Sequence, residues 1–336
     1  AARADQPVWW HLAAQAALAG GERGQAIRAF ETFLAAHPDD RAARAHLGVL
    51  LLETGDAFKA FAVLDQVGAD TLSRDPRLAQ AYARAMTESG KEVLLPDFLA
   101  AVDAVAAKSG SPGPLVGALR GLEAVPPAGA RPEVAADRAA VVAEQADGLA
   151  RGRWPDSLDV LRLVADARYK AAEVTPPAWE PVRTERAVQA YDRVRAKLPD
   201  DKEAATALGW LSLFVQKNPN QAATLAAPLL TPEAEAGLSY RQAELVGAIH
   251  RATGRVDDAV RVLERVCGTA ADAEAAAQPT SPLPAAPAGC HVQLARAYLA
   301  RRDHAAAYAR LRVAQRMPRT PHEHAEYSAA ATLVQR

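Results

Sequence analysis

One nineteen-residue segment occurs twice in this chain, with the same spacing of its key residues. Residues 30–48 read FETFLAAHPDDRAARAHLG, and residues 191–209 read YDRVRAKLPDDKEAATALG. Both copies begin with an aromatic residue, carry Pro-Asp-Asp at the same offset and end in Leu-Gly. Internal repetition of this kind predicts a stack of like structural units, each of which buries its apolar face against its neighbours. Such stacks present an extended binding surface, and we expect no compact catalytic cleft.

The composition favours helices throughout. Half of the 336 residues are hydrophobic but only 5% are aromatic, and alanine is abundant. Alanine has the highest helix propensity, and its small side chain lets helices approach closely. Alternating runs joined by Asn-Gly or Asp-Gly, which would indicate β-hairpins, are missing from the sequence. The predicted fold class is therefore all-α. The frequent use of Ala and Arg is typical of a bacterium with GC-rich DNA.

The charge balance and hydropathy restrict the partners. Lys and Arg number 39 against 40 Asp and Glu, a formal net charge of −1, so we predict no nucleic-acid partner. No window holds eighteen consecutive apolar residues, so we predict no membrane span. The chain begins AARADQP, without a charged n-region or an apolar h-region. We expect it to be a mature or trimmed product, whose missing part could carry a targeting signal.

Individual positions repeat with a period that points to a family. The tetratricopeptide repeat is a helix–turn–helix unit of about 34 residues with a sparse pattern of Trp, Leu-Gly, Tyr, Ala, Phe and Pro. The chain resembles this family at positions spread over several units, namely Trp10, Ala26, Phe30, Pro38, Leu47, Gly48, Ala60, Ala187, Tyr191, Pro199, Leu208 and Gly209. The resemblance covers roughly residues 7–67 and 183–317, and it is weak over residues 110–182.

Local signals agree with this pattern. A glycine closes the first helix of several pairs, at Gly21, Gly55 and Gly254, because glycine tolerates the left-handed conformation. The proline of Pro-Asp-Asp ends a second helix, and the aspartates can cap the helix that follows. The twelve-residue gap from Gly48 to Ala60 recurs from Gly247 to Ala259. We expect the small residue of the first helix to face that of the second where the two helices cross.

These signals predict a right-handed superhelical α-solenoid of about six tetratricopeptide-like helical hairpins with a C-terminal capping helix. The predicted pairs and the capping helix are, in order, 7–37, 40–67, 76–108, 202–230, 240–267, 290–317 and 321–334. Helical patterns also cover 133–151, 156–173 and 183–197, whereas residues 115–123 form a short segment within turn-rich sequence. We interpret this middle part as divergent helical hairpins with a longer loop, and the alternative is a break into two sub-stacks. We divide the chain into N-terminal repeats (1–109), a divergent helical segment with Pro/Gly-rich loops (110–182) and C-terminal repeats (183–336), with a low-complexity insertion at 268–289.

The only two cysteines, Cys267 and Cys290, flank that insertion. Stacking should bring the end of one helix close to the start of the next, so a disulfide at the base of the loop is one interpretation. It would stabilise the fold by roughly 3 kcal/mol and place the protein in the periplasm or outside the cell. The other interpretation is a pair of small buried hydrophobic side chains in a cytoplasmic protein.

The sequence offers little support for catalysis, a metal or a cofactor, and we predict none of them. His322 and His324 lie two residues apart, which places them on different faces of a helix. Cys290-His291 has neither the spacing of a zinc site nor the context of a cysteine peptidase. The glycines at Gly110, Gly113, Gly117 and Gly121 match no phosphate-binding motif, and we interpret their surroundings as turn and linker.

The family resemblance implies a protein-binding function. In tetratricopeptide proteins the first helix of each pair lines a concave face, which usually holds a peptide or a partner helix. Trp210 and Phe214 fall on that face and would anchor an apolar side chain of a partner; the alternative is that they pack inside the protein. Five further residues would form a mixed-charge rim, namely Arg84, Glu88, Glu244, Arg251 and Arg296.

The expected function is that of a non-catalytic scaffold or adaptor for a protein or peptide partner whose identity the sequence does not give. Two other classes stay open. One is an accessory tetratricopeptide region of a larger secretion, envelope-assembly or enzyme complex. The other is a ligand-binding or enzymatic α-solenoid, which would need a deep pocket with several convergent polar groups.

Overall fold

The structure, a computed structural model, describes residues 20–123, 132–173, 181–269, 286–317 and 321–334, together with residues 13, 14, 17, 272 and 319. All regular elements in this part of the chain are helical, and consecutive helices pack as pairs, which confirms the predicted fold class. The chain forms two compact units, residues 1–174 and 175–336. The division at residues 109 and 182 remains a prediction.

The first unit contains nine helices within its described residues. They are α1 (Arg23–Ala36), α2 (Arg41–Glu53), α3 (Ala57–Asp65), α4 (Ala69–Leu72), α5 (Pro76–Glu88), α6 (Leu95–Ser109), α7 (Gly113–Leu122), α8 (Pro132–Arg151) and α9 (Leu158–Glu173). Helices α2 and α3 form one pair and α8 and α9 another. Most of the first helix predicted for residues 7–37 lies outside the described residues.

The described residues of the second unit contain another nine. They are α10 (Pro181–Lys197), α11 (Lys202–Trp210), α12 (Pro219–Leu225), α13 (Pro232–Glu235), α14 (Tyr240–Ala252), α15 (Val256–Cys267), α16 (Ala288–Ala300), α17 (His304–Gln315) and α18 (Pro321–Val334). Helix α11 continues into a π-helical turn, Leu211–Val215. The pairs α11–α12, α14–α15 and α16–α17 follow one another in the chain, and α14 contacts both α11 and α16.

The helix ends confirm the predicted capping. The Asp40 and Asp201 carboxylates accept hydrogen bonds from the amides of Ala43 and Ala204, each at 2.8 Å. Both aspartates come from the repeated Pro-Asp-Asp, so the motif ends one helix and starts the next. The three glycines predicted to close first helices have left-handed backbones, with φ of 76° at Gly21, 87° at Gly55 and 83° at Gly254.

The contact between paired helices differs from the prediction. A Cβ placed on Gly48 would lie 2.5 Å from Cγ of Leu64, and one placed on Gly247 would lie 2.5 Å from Cγ of Leu263. The glycine of the first helix therefore receives a leucine, four residues beyond the alanine that the twelve-residue gap indicated. Ala60 is fully buried but is not the nearest neighbour of Gly48. A hole on one helix thus accepts a large side chain from its partner.

The glycine-rich stretch after residue 110 is also helical where turn and linker were predicted. Gly113, Gly117 and Gly121 lie in α7, and only Gly110, with φ of 68°, ends a helix. A Cβ on Gly117 would overlap the carbonyl oxygen of Pro76 and lie 2.9 Å from its carbonyl carbon. A Cβ on Gly121 would lie 2.9 Å from the backbone nitrogen of Arg84. The glycines form a stripe that lets α7 pack backbone to backbone on α5.

This stripe changes the predicted pairing of residues 76–108. Helices α5 and α6 form within those bounds, but α5 packs far more extensively on α7 than on α6. Helix α6 in turn packs on α7. The sequence pattern identified the helices correctly and assigned the wrong partner, because a small-residue stripe looks like linker when it follows Ser-Pro-Gly-Pro.

The two cysteines form a disulfide, with their Cα atoms 5.9 Å apart. The bond joins the end of α15 to the first turn of α16, at the base of the predicted insertion. Most of that insertion, residues 270–271 and 273–285, lies outside the described residues. Both cysteines belong to the buried core of the last pair, which also contains Leu294 and Tyr298.

A fully buried arginine, which the sequence analysis missed, holds the end of α15. The Arg310 guanidinium donates to the carbonyl oxygens of Cys267, Gly268 and Thr269. The last carbonyls of a helix have no partner within it, so a buried cation at that end satisfies them. It also lies 3.1 Å from Nδ1 of His291, and burial together with this charge lowers the pKa of His291 to about 4.

Candidate interaction groove in the C-terminal unit

The first helices of three consecutive pairs, namely α11 with the π-helical turn that continues it, α14 and α16, carry five of the residues predicted to bind a partner. These residues are Trp210, Phe214, Glu244, Arg251 and Arg296. Helix α18 contacts side chains from all three of these helices. We call the surface that these five residues mark on α11, α14 and α16 the C-terminal groove. The following contacts run along α18 from its first turn.

An aromatic cluster forms one end of the groove. The rings of Trp210 and Phe214 have centroids 4.1 Å apart. The imidazole of His322, in the first turn of α18, packs edge-on against both, at 4.9 Å from Trp210 and 4.8 Å from Phe214. Burial is the main cause that lowers the pKa of His322 to about 4, so its ring is neutral near pH 7.

The π-helical turn lies at this same end. It begins directly after Trp210 and includes Phe214, and the amide of Gln216 donates to the carbonyl oxygen of Leu211, five residues earlier. Turns of this type are rare and occur frequently at functional sites. Trp210 and Phe214 are 6% and 7% exposed, so both rings are buried with α18 in place. Their role as partner anchors remains a prediction.

Two carboxyl groups meet at the middle of the groove. Glu244 of α14 is 7% exposed, and Glu323 of α18 lies next to it. Burial and, secondarily, the charge of Glu323 raise the pKa of Glu244 to about 8. Glu244 is therefore mostly protonated at pH 7, which relieves the repulsion between two carboxylates.

Both carboxyl groups point at the N-terminus of α16. Glu323 accepts a hydrogen bond from the amide of Gly289 at 3.0 Å, and Glu244 accepts one from the amide of Cys290. The N-cap residue of α16 is Pro287, which makes no side-chain capping bond. A Cβ on Gly289 would lie 2.6 Å from Oε1 of Glu323, so a larger residue would displace this carboxylate. Helix α18 thus supplies the cap that α16 lacks.

Guanidinium groups form the other end of the groove. Arg296 pairs with Glu326 of α18, and the side-chain amide of Gln293 donates to the same Glu326 carboxylate at 3.5 Å. Burial and, secondarily, the charge of Arg251 lower the pKa of Arg296 to about 10. Arg251 is itself partly buried, and its Nε donates to no group in the described part of the chain. Two cations therefore lie close together, and α18 provides one carboxylate for them.

Helix α18 has a second, apolar face that performs the predicted capping role. Ala330 is buried in the core of the last pair, and Tyr327, Ala331 and Val334 pack against that core. His322, Glu323 and Glu326, by contrast, contact the groove. One helix therefore caps the stack with apolar side chains and covers the groove with polar ones.

The remaining two predicted residues belong to the first unit. Arg84 and Glu88 lie on α5 in the first unit, where Nε of Arg84 donates to Oε1 of Glu88 at 2.7 Å. They form an ion pair on consecutive turns of one helix. Sequence reasoning missed Glu323 and Glu326, because two acidic residues near the start of a helix are common on solvated surfaces and give no signal of this contact.

The described residues offer neither a metal-binding cluster nor a membrane-spanning helix. Within them, no group of three or more His, Cys, Asp or Glu side chains is arranged to hold a metal ion. No helix in the same residues is both long and apolar enough to cross a membrane.

Comparison with known proteins agrees with the architecture. Residues 1–93 match the tetratricopeptide repeat family. A tetratricopeptide repeat protein from Parabacteroides merdae has a similar crystal structure, with a TM-score of 0.50 and 11% sequence identity over 98% of this chain and 99% of that one. Yeast Tom70 aligns over 99% of this chain and 89% of its own, with 11% identity and a TM-score of 0.33. No curated protein matches the chain.

The helix pairs and their glycine and aspartate signals agree with the match over residues 1–93: this part of the chain carries tetratricopeptide repeats, and the described residues as a whole have the paired-helix fold of such repeats.

Proposed function

We propose that this protein is a non-catalytic scaffold or adaptor that binds a helical segment of a partner protein in the C-terminal groove. The tetratricopeptide fold generally mediates protein–protein interaction, and such proteins are typically non-catalytic. The observation that carries the proposal for this chain is that the groove already holds a helix, α18, through side chains from three consecutive first helices. A surface that accepts one helix has the dimensions for another.

The residues of the groove suit recognition. An aromatic pair at one end and two arginines at the other give a partner two anchoring points of different chemistry, and Trp and Arg dominate the energetics of many interfaces. Glu244 lies between them and, because it is mostly protonated at pH 7, can accept or donate a hydrogen bond without a charge. This combination fixes the direction of a bound helix as well as its position.

The test is affinity capture from an extract of the source organism, with quantitative mass spectrometry. Three immobilised proteins are compared: the wild type, Arg296→Ala in the groove and Arg312→Ala on the exposed face of α17. We expect a protein that the wild type and Arg312→Ala retain and that Arg296→Ala loses. Equal capture by all three would refute a groove-dependent partner. Thermal melts of the three proteins control for misfolding. Alanine at both Trp210 and Phe214 is less suitable, since these buried rings also contribute to packing.

A further inference from the structure

We infer that α18 is an internal ligand of the C-terminal groove, and that the partner is an acidic helix which replaces it there. This inference rests on the proposed function and adds two statements to it. The groove is closed in the free protein, and the helix that closes it shows which chemistry the partner presents.

The contacts of α18 are those of an exchangeable ligand. Its groove face consists of His322, Glu323 and Glu326, which meet an aromatic pair, a helix N-terminus and an arginine. The ion pair between Glu326 and Arg296 is not fully sealed, since the two side chains are 18% and 25% exposed. Water can reach these groups, so another helix can take over the polar contacts one at a time. The apolar face with Ala330 and Val334 packs on the last pair, outside the groove.

The charge of the groove selects an acidic occupant. Two of the five groove residues are cations, Arg251 and Arg296, and the charge of Arg251 acts on Arg296. The only carboxyl group among the five groove residues is Glu244, which is mostly protonated at pH 7. Helix α18 brings two carboxylates, Glu323 and Glu326. The groove without α18 is therefore positive and favours a helix with at least as many carboxylates.

The tether gives α18 an advantage over a free copy of itself. A segment held on the same chain has an effective local concentration of about 1 mM or more for a short linker. A peptide with the α18 sequence must compete against this concentration, so it binds the intact protein weakly. A change that weakens α18 in the protein and leaves the groove intact removes the competitor and raises the affinity for the peptide.

The experiment uses the full chain and a fluorescein-labelled peptide of residues 321–334, followed by fluorescence anisotropy. The protein variant Glu326→Ala removes the carboxylate that pairs with Arg296 and keeps every groove residue. We expect it to bind the peptide at least tenfold more tightly than the wild-type protein does. Ser328→Ala is the matched control on α18, since the Ser328 hydroxyl bonds only its own helix, at the His324 carbonyl. It should leave the affinity unchanged.

Two reciprocal measurements test the chemistry of recognition. A peptide that carries Glu326→Ala should bind the Glu326→Ala protein at least tenfold more weakly than the wild-type peptide does. A protein with both Glu326→Ala and Arg296→Ala should bind the wild-type peptide no more tightly than the wild-type protein does. A second protein variant, His322→Ala, removes the ring that packs on Trp210 and Phe214, and it should open the aromatic end of the groove. A change in tryptophan emission in this variant that is absent once Trp210→Phe is added would report the release of α18. Circular dichroism melts of every variant show whether it is folded.

The outcomes distinguish three claims: that α18 is an internal ligand, that the partner is an acidic helix, and that the protein binds a partner in the groove. No gain in affinity with either folded variant, Glu326→Ala or His322→Ala, would overturn the internal-ligand inference. Equal binding of the wild-type and the Glu326→Ala peptide would overturn the acidic-helix inference. Gains in peptide affinity without a groove-dependent partner in the capture experiment would support the internal ligand and refute the proposed function. A groove-dependent partner in the capture experiment, without gains in peptide affinity, would support the proposed function and refute the internal ligand.

Discussion

The glycine stripe of α7 gives the sharpest test of the packing. Alanine at Gly117 would place a methyl group onto the Pro76 carbonyl, which belongs to the backbone and cannot rotate away. Relief requires α5 and α7 to separate along their whole contact. Forcing an extra carbon into a packed core costs about 1–3 kcal/mol, and this position offers no flexible side chain to yield. We expect Gly117→Ala to destabilise the first unit by about 2 kcal/mol, even though alanine favours helices by about 1 kcal/mol over glycine.

The matched control is Gly148→Ala in α8 of the same unit. Gly148 lies inside a helix, is exposed, and would have no atom within 4 Å of its added Cβ. This variant should stabilise the helix by about 1 kcal/mol from propensity alone. Thermal unfolding measured by circular dichroism should place Gly117→Ala about 4–8 °C below the wild type and Gly148→Ala slightly above it. A melting temperature for Gly117→Ala at or above that of Gly148→Ala would refute the proposed close approach.

Three further predictions concern the second unit. Burial raises the pKa of Glu244 from its ordinary value of 4.5 to about 8, so its contribution to stability is fully present below 4.5 and is lost as pH rises through 8. Glu244→Gln should remove a fall of about 1.4 kcal/mol per pH unit in this range, measured by urea unfolding from pH 5 to 9; an unchanged slope would contradict the assignment. Arg310→Met leaves buried carbonyls at the end of α15 without a donor and should destabilise the unit by about 3 kcal/mol, and Arg310→Lys should have an intermediate effect. Equal urea midpoints for the wild type and both variants would show that the guanidinium is dispensable. Alanine at Cys267 and Cys290 should cost about 3 kcal/mol for a separation of 23 residues, and reductant should lower the melting temperature of the wild type only.

The helices and their caps could be predicted from the sequence because they depend on neighbouring residues. Gly55 closes a helix through its own backbone, and Asp40 caps one three residues away, so both signals are local. Trp210 and Glu244 lie on the first helices of consecutive pairs, α11 and α14, because the spacing of the repeat assigns both residues to such helices. That these residues share a binding surface stays a prediction from the periodicity.

Features that depend on distant contacts could not be predicted. The fit of Gly117 against Pro76 depends on the placement of two helices, and the sequence shows only a glycine between turn-forming residues. The pairing of Glu326 with Arg296 requires the last helix to turn back over the groove. Two acidic residues near the start of a helix are common on solvated surfaces, so their pattern carried no information about this contact.

The chain is synthesised from its N-terminus, so the groove forms before α18 can cover it. Arg296 leaves the ribosome before Glu326, because it lies thirty residues earlier in the chain. At about 5–20 residues per second, the interval is roughly two to six seconds. During it the first helices of the second unit exist without the helix that later covers them. A partner present at the site of translation would meet an open groove, and one that arrives afterwards would meet a closed one.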